Sequence, residues 1–143
     1  MDTSPRSRPI PLYFLIVCML FQGISGIVGG VGLVNDSAGE FLDLSVDLLI
    51  GTPFSTYLGP GLILLVLLGF APMVVSVGLM KRTRWAWYGS LTLGCALVIW
   101  ILTQIAIIGY WSDPPLQLVY GVLGIVLAGL TLLPSVRKNM LSD

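Results

Sequence analysis

The chain has 143 residues, of which 56% are hydrophobic and only 10% charged, with a mean hydropathy of +0.96; a water-soluble domain carries about a quarter charged residues, so a bilayer is the expected solvent. Seven basic and seven acidic residues cancel, which removes any overall charge that would recruit nucleic acid or an acidic substrate. The sequence holds no histidine and no Cys-x-x-Cys pair, so the commonest metal ligand, the commonest general base and the usual redox clip are all missing, and no cofactor is expected.

Uncharged runs extend over residues 9–35, 48–80, 85–112 and 114–136, each longer than the roughly 18 apolar residues that mark a spanning helix. Backbone amides cannot go unpaired in lipid, so these runs predict four transmembrane helices near residues 10–34, 58–80, 85–109 and 115–134. Arg6 and Arg8 ahead of the first run also fit a signal peptide, but the apolar stretch is too long and no Ala-x-Ala site ends it, which favours an uncleaved anchor.

After the first span, Ser37 and Glu40 form a capping-box pattern, and Asp36, Glu40, Asp43 and Asp47 recur at helical spacing. This predicts a short amphipathic helix over 38–50 on the outer surface, its other faces carrying Phe41, Leu42, Leu44, Val46, Leu48, Leu49 and Ile50, and its end marked by Gly51-Thr52-Pro53. The helix has no lysine, so its apolar sides rather than anionic lipid are expected to hold it over the bundle. Its acidic stripe reads as a solvated face, because carboxylates four apart on a straight helix rarely converge on one cation. In the second span Pro60 suits the first helical turn, whereas Pro72 lies deep and predicts a kink, tolerated where a neighbour supplies a donor to the freed carbonyl. Pro114 and Pro115 open the fourth span as Pro60 opens the second.

Charge placement sets the expected orientation. Arg6 and Arg8, then Lys81, Arg82 and Arg84, then Arg137 and Lys138 all fall on one side of this topology, while Asp36, Glu40, Asp43, Asp47 and Asp113 fall on the other. The positive-inside rule makes the basic side cytoplasmic, with both termini there and the plasma membrane as the location. No Asp, Glu, Lys or Arg lies within a span, which disfavours a pump or ion-coupled transporter. The intramembrane polar groups, among them Gln22, Ser76, Ser90, Gln104, Gln117 and Thr131, are expected to bond across helices or back to carbonyls.

Small residues four apart recur as Gly26 and Gly30, as Ala86, Ser90 and Gly94, and as Gly124 and Ala128. They predict close helix-packing seams within the bundle, with a homodimer seam as the alternative. One further group stands out near the outer surface. Trp100 and Gln104 share a face of the third span, Tyr110 and Trp111 follow at its end, and Tyr120 lies early in the fourth. Aromatic walls with one amide would suit a lipid tail or small apolar ligand; the plainer reading is interface anchoring plus a buried glutamine. Cys18 and Cys95 fall at similar depths and would meet only if the first and third helices touch.

The stretch from Gly32 to Leu62, with Asn35-Asp36-Ser37-Ala38-Gly39, Thr52-Pro53-Phe54-Ser55-Thr56-Tyr57-Leu58 and Gly59-Pro60-Gly61-Leu62, resembles small four-span membrane proteins of unknown function in bacteria and archaea, as does the run from Trp100-Ile101-Leu102-Thr103-Gln104 to Gly109-Tyr110. The resemblance implies an all-α membrane four-helix bundle and brings no activity or site residues. The functional expectation is a non-enzymatic membrane protein, a scaffold, accessory subunit or binder of a lipid-like molecule. It would have the lipid bilayer as its surroundings and another membrane protein or a second copy as partner. A small transporter or channel component, and an enzyme acting on a membrane-embedded substrate, are the alternatives.

Overall fold

A computed structural model describes residues 7–40, 43–110 and 115–142 of the chain. Among these residues the structure is all-helical, and three helices are long and apolar enough to cross a membrane, or four if one bent pair is a single span. α1 (Ile10–Asn35) begins directly after Pro9, with Pro11 in the first turn, where the missing amide hydrogen leaves nothing unpaired. Both of its faces are largely apolar, and they differ in what they meet. Leu12, Leu15, Met19, Gln22, Gly26, Gly30 and Leu33 turn inward, while Phe14, Val17, Phe21, Ile24, Val28 and Val31 stand outward at the same helical spacing.

The described residues of 38–50 do not form the single amphipathic helix expected there. Gly39 and Asp43 both adopt positive φ, at 88° and 56°, which a continuous α-helix does not allow, and Val46–Leu49 forms a 3-10 turn whose N-cap Ser45 hydroxyl accepts from the Asp47 amide. The segment is organised around Tyr57 instead. The Tyr57 amide donates to Ser37 O at 2.9 Å, its hydroxyl donates to Ser45 O at 2.7 Å, and Leu33, Leu49 and Tyr57 form a small apolar cluster with Leu44 and Phe54 against it. Long-range bonds to one aromatic thus outcompete the local helical period, and the acids no longer share a straight stripe. Phe41 and Leu42 lie outside the described residues.

α2 (Leu58–Met80) has Pro60 in its first turn as expected, and the break associated with Pro72 takes the form of a π-helical turn at Val66–Phe70. The helix ends in a Schellman motif: Thr83 N bonds Gly78 O, Arg82 N bonds Leu79 O, and Arg82 takes the left-handed position usually given to glycine. α3 (Arg84–Ile108) stops at Gly109, which has φ 77°. α4 (Leu116–Leu132) is shorter than the 115–134 expected; Leu133 turns extended ahead of Pro134, and a further helix α5 (Pro134–Leu141) leaves at 61°.

α1 packs on α2 and α4, and α3 packs on α2 and α4. Close approach depends on small residues. A Cβ on Gly26 would overlap the Leu68 carbonyl, and one on Gly94 would lie 2.8 Å from Ala128 N. α5 folds under one end against α1, α3 and α4, burying Val136 and Met140 completely or nearly so. That end gathers the start of α1, the α2–α3 turn and the C-terminal helix: Arg8 donates to Met80 O, and Asn139 Nδ2 donates to Ser7 O at 3.4 Å.

Two predictions follow from packing and one buried phenol. Gly26→Ala should destabilise the protein in detergent by about 1–3 kcal/mol through overpacking, while Gly129→Ala, where nothing lies within 4 Å of an added Cβ, should stabilise it by about 0.5–1 kcal/mol; thermal unfolding of both variants measures the contrast. Burial raises the Tyr57 pKa above its ordinary value, so its folded pKa exceeds the unfolded one. Its contribution is therefore present below pH about 10 and lost as the pH climbs through the folded value. Tyr57→Phe should cost about 0.5–1.5 kcal/mol at neutral pH and should lose less stability than wild type between neutral and strongly alkaline pH.

Candidate functional site

The buried polar side chains among the described residues are Gln22, Ser76, Ser90, Gln117 and Thr131, and each closes on a neighbouring carbonyl or hydroxyl. Pro72 has no amide hydrogen to give to Leu68 O four residues earlier; Gln22 Nε2 on α1 donates to that oxygen at 3.0 Å. Ser76 Oγ donates to Pro72 O at 2.7 Å on the next turn. On the other hairpin Thr131 Oγ1 donates to Leu127 O at 2.7 Å, so Ser90 Oγ is the donor in the 2.6 Å bond between the two hydroxyls. Trp87 Nε1 donates to Thr131 O at 2.8 Å, serving a carbonyl in the last turn of α4. Gln117 Nε2 donates to Gly109 O at 3.1 Å and joins the start of α4 to the end of α3. Gln22 Oε1 is buried without a partner.

The small residues singled out by spacing lie where backbones meet. Gly26 and Gly30 face Leu68 and Leu65 of α2; Gly94 of α3 faces Gly124 and Ala128 of α4; Ala86 lies beside Gly78, and Ser90 holds Thr131. Trp100 and Gln104 are half-buried on α3, and Tyr110 is exposed after its end. Tyr120 stacks on Phe21 of α1, ring centroids 6.2 Å apart and planes 16° apart. Trp111 lies outside the described residues. Two open clefts lie at the opposite end of the molecule.

The first cleft, about 420 Å³, is lined by Ser7, Pro9, Ser135, Lys138, Asn139 and Ser142. The second, about 390 Å³, is lined by Leu132, Pro134, Arg137, Lys138, Leu141 and Ser142. Lys138 and Ser142 line both. Asn139 Oδ1 is buried with no donor, its Nδ2 being engaged by Ser7 O. Arg8, Lys81, Arg82, Arg84, Arg137 and Lys138 share this end of the molecule, whereas Asp36, Glu40, Asp43 and Asp47, the carboxylates of the described residues, follow α1 at the other. Sequence reading stopped the fourth helix at 134 and so passed over Ser135, Lys138, Asn139 and Leu141 as a site. The signal was Pro134, which forces its predecessor out of helical geometry and lets the chain restart in a new direction.

Among the described residues no three His, Cys, Asp or Glu side chains come together. Cys18 and Cys95 are free, on helices that face α2 and α4 rather than one another, and Cys95 is exposed. No family profile, curated protein or solved structure matches the chain.

The Gln22 bond is open to a direct test. Gln22→Leu should cost about 1–3 kcal/mol by leaving Leu68 O without its donor. In a Pro72→Ala background, where a backbone amide becomes available, the same change should cost less, and the double-mutant cycle in thermal unfolding reads the coupling; equal costs in both backgrounds would show that the two residues act independently.

Proposed function

We propose that the chain crosses the plasma membrane four times, with both termini and the Lys81–Arg84 turn in the cytoplasm, and works without catalysis as a scaffold, accessory subunit or binder of a lipid-like molecule. The observation that carries this reading is the inversion of side-chain character. Phe14 is 61% exposed and Ile125 64% exposed, whereas Gln22 is 2% exposed and Ser76, Ser90 and Thr131 are fully buried. Water would penalise so large an apolar exterior, and a lipid environment does not. The cations at one end then select the cytoplasmic side.

The packing role is supported by the state of the interior. Among the described residues its hydroxyls and amide nitrogens bond to particular carbonyls or to each other across and along the helices.

Single cysteines introduced in a Cys18→Ala, Cys95→Ala background test the topology. A membrane-impermeant maleimide should label Asp43→Cys in intact cells and Lys81→Cys only after permeabilisation. Labelling of both from the same side would overturn the four-crossing arrangement.

A further inference from the structure

We propose that the two clefts flanking Lys138 together seat one anionic phospholipid of the cytoplasmic leaflet, its phosphate held by Arg137 and Lys138, its head in the polar cleft, and the root of an acyl chain against Leu132 and Leu141. The inference rests on the membrane reading above and deepens it by naming the class of ligand and its place.

Three observations converge on this occupant. The clefts adjoin through Lys138 and Ser142 but differ in character, one walled by Ser7, Ser135 and Asn139, the other by Leu132, Pro134 and Leu141. Lys138 lines both and Arg137 the second, so the cations sit where polar and apolar walls meet; a free anion has nothing to place against Leu132 and Leu141, whereas a phospholipid does. Their level is also right. Because α5 turns 61° from α4, Arg137 and Lys138 are held beside Leu132 in the last turn of an apolar helix, where hydrocarbon gives way to headgroups, and basic pockets at that depth attract acidic lipid heads. Finally, the polar cleft is lined by Ser7, Ser135, Asn139 and Ser142, hydrogen-bonding side chains that suit the hydroxyls of a glycerol headgroup. The described carboxylates Asp36, Glu40, Asp43 and Asp47 lie at the far end of the molecule.

Native mass spectrometry of the full chain, equilibrated with equal amounts of dioleoyl phosphatidylglycerol and dioleoyl phosphatidylcholine, tests the proposal. The wild type should retain one phosphatidylglycerol in about tenfold preference. Lys138→Glu should bring the two lipids to parity, and so should Ser135→Asp, which puts a carboxylate in the facing wall and keeps the test valid if either variant misfolds. Lys81→Glu, the same charge change at the same end but outside the clefts, should keep the preference. Parity in the wild type, an unchanged preference in both cleft variants, or an equal loss in Lys81→Glu would each overturn the seat. Displacement of the lipid by inorganic phosphate would also overturn it, by assigning the clefts to a soluble anion. Resistance of the wild-type chain to alkaline carbonate extraction reports separately on membrane integration, so failure of the lipid seat and failure of the membrane reading are told apart.

Discussion

A carbonyl that loses its amide partner away from water must find another donor, and the arrangement of the first two helices follows from how this chain meets that demand. Pro72 withholds a proton from Leu68 O, the π-helical turn at Val66–Phe70 accommodates the ring, and Gln22 crosses from α1 to supply the bond. The reach of a glutamine side chain sets the separation of the helices at that level. Gly26, one turn further along α1, must then be bare, because any Cβ there would run into the carbonyl that Gln22 serves. Proline, glutamine and glycine on two helices thus form one device.

The second hairpin meets the same requirement at its end rather than in its middle. α4 terminates at Leu132, and its late carbonyls cannot continue the helical ladder past the extended Leu133. Trp87 and Ser90 of α3 turn toward Thr131 and take up the backbone oxygen and the hydroxyl. α5 starts anew beneath this junction, and its two inward side chains, Val136 and Met140, close the base of the core. Directional polar contacts fix the register between neighbouring helices, while the surrounding leucines supply the contact area.

Hydropathy located the long helices to within a few residues because uncharged runs of that length have few alternatives. The role of Pro72 as a break needing an outside donor was legible too; which residue would donate was not, since Gln22 lies 46 positions away in the chain. The outer segment defeated the periodic reading for a related reason. Ser37, Glu40 and the spaced acids carry a helical signature, yet Tyr57 offers Ser37 and Ser45 bonds that a helix over those residues would forbid. At the other end Pro134 announced a new helix in plain view. Beyond it only Arg137 and Lys138 entered the topology, as cytoplasmic charges, although Val136 and Met140 sit four apart among polar neighbours, as on any short helix with one buried side.

The contact between Ser7 and Asn139 spans 132 positions of the chain, and it bears on the order in which the protein is assembled. A chain made from its N-terminus completes the α1–α2 pair early, while the flank of α1 that later meets α4 must wait for nearly the whole sequence to emerge. During that interval Phe21 lacks Tyr120 and Ser7 lacks Asn139, so the newborn protein passes through a stage with one incomplete side, the period in which a chaperone or a neighbouring subunit has most to gain by occupying it.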